Sequence, residues 1–79
     1  MTSTTAASRQ RRYFASAQAA ERQGELYRSM ALTLHVNHDH TNEVVADEIA
    51  RLRRLATEMD ESAAEDYGSA EMLEAEALR

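Results

Sequence analysis

Small and apolar side chains recur at a fixed interval along the first half of the chain. Tyr13, Ala17, Ala20, Gly24, Tyr27, Ala31 and Leu34 follow one another at steps of 4-3-4-3-4-3 residues. That heptad spacing holds one stripe of a helix against a partner. It predicts a first helix over residues 5–35. Residues 1–8 are small and polar and are expected to fray as a flexible N-terminus, with Ser3 or Thr4 as the candidate cap. A second stripe, Val45, Ile49, Leu52, Ala56, Met59 and Ala63, repeats the same spacing and predicts a second helix over 42–67. Val44 and Leu55 widen that stripe.

Between the two stripes, His35-Val-Asn-His-Asp-His-Thr-Asn42 loses the period and is rich in residues that favour caps and turns. A turn over 36–41 is expected, with Asp39, Thr41 or Asn42 capping the second helix and Glu43, Asp47 and Glu48 near its positive end. Gly68-Ser69 is expected to end that helix and start a short third one over 70–78. The competing expectation is continuation, because Ala70, Leu73 and Ala77 keep the phase beyond Asp66. No internal repeat and no linker appears, so residues 9–79 read as one unit.

Two helices joined by a short turn imply an antiparallel hairpin. Folding the chain about the centre of the turn sets residue i near residue 77−i. Tyr27 then lies beside Ile49, Gly24 beside Leu52, Ala20 beside Ala56 and Tyr13 beside Ala63, so that large side chains meet small ones. Gly24 would otherwise cost about 1 kcal/mol relative to alanine in a helix interior. Charge agrees with this direction. Arg9, Arg11 and Arg12 start the first helix and Glu58, Asp60, Glu61, Glu65 and Asp66 come late in the second. Each group opposes its own helix dipole, yet the hairpin brings the groups together. The register pairs Arg11 with Asp66, Arg12 with Glu65, Arg28 with Glu48 and Glu25 with Arg51.

The expected fold is therefore all-α: a long antiparallel helical hairpin of coiled-coil character with a short C-terminal helix. Its core and interface are assigned to Tyr13, Ala17, Ala20, Gly24, Tyr27, Leu34, Val45, Ile49, Leu52, Leu55 and Met59. One domain of 79 residues is near the size at which a single core is only marginally stable. Met30, Leu32, Val44, Leu55, Met72, Leu73 and Leu78 fall off the seam, wholly or in part. A homodimer forming a four-helix bundle would cover them.

Composition narrows the chemistry. There is no cysteine, which removes disulfides and thiolate metal sites, and there is no proline. All nine basic residues are arginine. The net charge of −5 argues against a dedicated nucleic-acid binder, although Arg9-Gln-Arg-Arg-Tyr-Phe has a basic and aromatic character. No run approaches the roughly 18 apolar residues of a membrane span, and the N-terminal arginines precede no apolar run. A cytoplasmic protein is expected.

His35, His38 and His40 lie within six residues of one another, beside Asp39 and Glu43. Imidazole and carboxylate suit Zn²⁺ or Ni²⁺, and histidine titrates near neutrality. A solvated turn collects the same residues without any ligand. Inward glutamates with Glu-x-x-His motifs would mark a di-metal enzyme, the least improbable catalytic reading, but no such motif occurs. There is likewise no nucleophile elbow or phosphate-binding glycine loop. The expectation is a small non-catalytic protein-interaction module, an adaptor, regulator or assembly factor, working as a homodimer without cofactor. The alternatives are a metal- or pH-responsive protein using the histidine turn, and an acidic regulator that sequesters a basic protein through the eight acids between Glu58 and Glu76.

Overall fold

The computed structural model describes the backbone of residues 2–38 and 41–77, and side chains from Ala7 to His38 and from Thr41 to Glu76. The described residues form two helices, α1 (Thr2–Asn37) and α2 (Glu43–Ala77). They pack against each other as a rod of 58 × 13 × 13 Å. Among the described residues there is no strand. Neither helix is long and apolar enough to cross a membrane.

The long helices follow from a chain with no proline and fifteen alanines. Around the turn, the His38 amide donates to the Leu34 carbonyl at 3.2 Å and closes the last turn of α1. The Asn42 side chain accepts from the Val44 amide at 2.9 Å, and its carbonyl accepts from Ala46 at 3.0 Å. Asn42 is thus the N-cap of α2, while Asp39 lies outside the described residues.

Three expectations are corrected. First, α1 spans Thr2–Asn37 rather than 5–35, so Ser3 and Thr4 fall inside it. Second, there is no short third helix: α2 runs through Gly68 to Ala77. Gly68 keeps a φ outside the left-handed region, and Ala70 beyond it is fully buried. Keeping Ala70 in the seam requires the helix to continue in phase, which outweighs a glycine penalty of about 1 kcal/mol.

Third, the register moves by about one helical turn. The point midway between Asn37 and Glu43 is position 40, so residue i faces roughly residue 80−i rather than 77−i. Gly24 accordingly lies against Ala56 and Met59, not Leu52. The Gln10 side chain donates to the Ala70 carbonyl at 3.4 Å, in keeping with the same register.

The core is graded along the rod. Near the turn, Ala31, Ile49 and Leu52 form a buried cluster, with Tyr27, Leu34 and Val45 packed against it. Leu52 is its largest fully buried side chain. Toward the open end the buried positions are all small, namely Ala17, Gly24, Ala56, Ala63 and Ala70. Seven-residue spacing sets small beside small along that stretch, which lets the backbones approach closely instead of interlocking large with small.

Candidate functional site

The two broad faces of the hairpin differ. On one face Phe14, Glu21 and Arg28 recur every seven residues on α1, and Asp60 and Tyr67 do so on α2. These residues clasp the helices together. The Phe14 and Tyr67 rings stand 6.0 Å apart at 57°. The Tyr67 hydroxyl bonds to Glu21, and its pKa is raised, first by desolvation and then by that carboxylate.

Arg28 reaches Asp60 at 2.8 Å, although Asp60 lies about two turns from the level of Arg28. The geometry follows from side-chain direction. Helical side chains lean toward their own N-terminus, so on antiparallel helices these two lean toward each other. Arg28 therefore pairs with Asp60 and not Glu48, and Arg51 pairs with Glu48 one turn away and not with Glu25. Arg11 with Asp66 and Arg12 with Glu65 do not pair either. The shifted register takes each expected partner out of level.

The other face is open. Near the turn it holds a groove of about 470 Å³, lined by Ser29, Met30, Thr33, Leu34, Glu48 and Leu52. Met30 is half exposed there, and Leu26, one turn before it, and Val44 on α2 are more so. On α2 the stripe bordering the seam reads Val44, Glu48, Arg51, Leu55. Arg51 Nε donates to Glu48 at 3.0 Å, and this bond chiefly holds the Glu48 carboxyl below, and the Arg51 guanidinium above, its ordinary pKa. Leu32 and Val36 are also exposed, on other sides of α1, and Met72 near the open end.

Of the residues assigned to the core and interface, Ala17, Gly24, Ile49 and Leu52 are buried. Tyr13, Ala20, Tyr27, Leu34, Val45, Leu55 and Met59 are half-buried. Buried Ala70 belongs to the competing expectation of continuation and not to the preferred one, and the aromatic contact of Phe14 with Tyr67 is in neither. The first was set aside by the expected break at Gly68 and the second hidden by the expected register. His35 lies in the last turn of α1 and His38 just beyond it, while His40 lies outside the described residues. Among the described residues no three histidine or carboxylate side chains gather to hold a metal ion. No protein-family model matches the chain, and no match is found among curated proteins or solved structures.

Proposed function

We propose that the chain is a small non-catalytic protein-interaction module that works in the cytoplasm as a homodimer of helical hairpins, a four-helix bundle. One observation carries this reading, the area the hairpin leaves in water. It exposes 6041 Å². A folded monomer of its mass, 8.9 kDa, exposes about 4,800 Å². The excess, about 1,200 Å², exceeds the roughly 800 Å² that each partner buries in a standard interface. Part of it is the apolar groove at Met30, Leu34 and Leu52, flanked by Leu26 and Val44. Apolar area of this kind favours association because covering it releases about 25 cal/mol per Å². The dimer is tested with Met30→Glu, which sets a charge in the groove. The variant should stay helical and lose self-association. A variant that associates like the parent would remove the groove from the interface.

A second reading has its own support. Glu58, Glu61, Glu65, Glu71, Glu74 and Glu76 are exposed on α2, and among the described residues none forms an ion pair. An open end of this charge suits a basic protein partner. Such a complex would weaken steeply between about 0.05 and 0.3 M salt. A complex recovered from the source cell that is indifferent to salt would count against it.

A further inference from the structure

Resting on the dimer reading, we infer that the open face binds a second copy of the same chain in one orientation, α2 antiparallel to α2, through the stripe Val44, Glu48, Arg51, Leu55. The stripe is self-complementary when reversed. Its steps are 4-3-4 and its chemistry runs apolar, acidic, basic, apolar. A two-fold axis crossing α2 midway between positions 49 and 50 sets residue i opposite 99−i of the second copy. Val44 then meets Leu55, and Glu48 meets Arg51, twice each. Isologous interfaces require this kind of self-matching.

The hairpin's own geometry brings the groove to the same axis. With residue i of α1 level with 80−i of α2, the axis crosses α1 between positions 30 and 31. Met30, half exposed on the groove, therefore sits beside the axis and meets its own copy. The apolar groove and the charge-matched stripe thus share one centre.

Turn-to-turn packing offers no such match. There α2 faces α1 of the second copy, and Glu48 and Arg51 lie level with Leu32 and Ser29, which carry no charge. It also lays the acidic ends of the two copies side by side. In the antiparallel arrangement α2 overlaps its copy over positions 43–56, roughly 20 Å about the axis at 1.5 Å per residue. The acid-rich open ends then project in opposite directions, apart from each other and free for another partner. Within one chain the Glu48–Arg51 contact is an exposed pair one turn apart. In the dimer it becomes one half of a four-charge ring.

Charge exchange tests the orientation. Sedimentation equilibrium is run on the full chain, on Glu48→Arg, on Arg51→Glu and on an equimolar mixture of the two, with helicity followed by circular dichroism. Each single variant places like charges opposite one another and should be monomeric at concentrations where the parent is a dimer. The mixture should form the heterodimer, because the Glu48→Arg side chain of one copy then faces the Arg51→Glu side chain of the other. Neither chain of that mixture recovers its internal pair, so the rescue reads only contact between chains. The double variant Glu48→Arg/Arg51→Glu in a single chain should dimerise like the parent, which guards against loss of fold in the single variants. A mixture that stays monomeric overturns the proposal. Single variants that still dimerise place the interface elsewhere while leaving the dimer reading intact. A parent chain that is itself monomeric overturns both.

Discussion

Gly24 lies directly over the backbone of Ala56: a Cβ built on Gly24 would stand 3.5 Å from the Ala56 carbonyl oxygen. It would also stand 3.4 Å from Met59 Cβ and 3.3 Å from Asp60 Oδ1. One methyl group fits if the Asp60 carboxylate yields slightly, and a longer side chain does not. Gly24→Ala is expected to retain the parent's stability or gain up to about 1 kcal/mol from helix propensity. Gly24→Leu is expected to lose about 1–3 kcal/mol or more by overpacking. Urea unfolding of both variants measures the difference. A Gly24→Leu chain as stable as the parent would mean that the helices do not approach closely at this level.

Gly68 presents the opposite case. It lies inside α2, exposed, in a backbone conformation open to any residue, and an added Cβ would meet nothing within 4 Å. Gly68→Ala should therefore stabilise the chain by about 1 kcal/mol. A destabilised variant would indicate that α2 does bend or break there.

Leu52 is the anchor of the core at 1 % exposure, and Ile49 beside it is at 7 %. Truncation of either to alanine should cost about 2–5 kcal/mol, Leu52 the more. For a domain with a core this small, that is enough to abolish cooperative thermal unfolding. Val44→Ala, on an exposed side chain, should leave the fold intact and weaken self-association only.

Acid should weaken the structure through Glu48. Its folded pKa lies below the ordinary 4.5, chiefly through its bond to Arg51. A group so depressed contributes stability above the unfolded value, and that contribution disappears as pH falls through the lowered one. Dimer mass and helicity should both decline below about pH 4.5, and Glu48→Gln should flatten that limb in the range where Glu48 titrates. An unchanged acid limb in the variant would assign the decline to other carboxylates.

The phase of each helix was legible in the sequence and the register was not. Ala17, Gly24 and Ala31 on one helix, and Ile49, Ala56 and Ala63 on the other, are buried at seven-residue spacing. Periodicity alone identifies them. The end of α1 carries no sharp mark, because His35, Val36 and Asn37 neither break a helix nor favour it strongly. Extending α1 through those residues moves the turn's centre and shifts every cross-helix pairing by about a turn. For that reason Phe14–Tyr67 was out of reach while the seam was not, and Arg28–Asp60, two turns off level, needed the side-chain directions as well. At Gly68 the local stop signal was misleading, since burial of Ala70 decides the outcome and acts only once α1 is in place. Surplus apolar residues were visible along the chain. Their division between a clasped face and an open face needed the packed helices.

Sedimentation equilibrium of the unmodified chain, across a wide concentration range, tests the central claim of a homodimeric interaction module most directly. The excess exposed area and the groove at Met30 predict a mass of twice 8.9 kDa, falling to the monomer only on strong dilution. A mass that stays at 8.9 kDa up to millimolar concentration, with the helices intact, would contradict it.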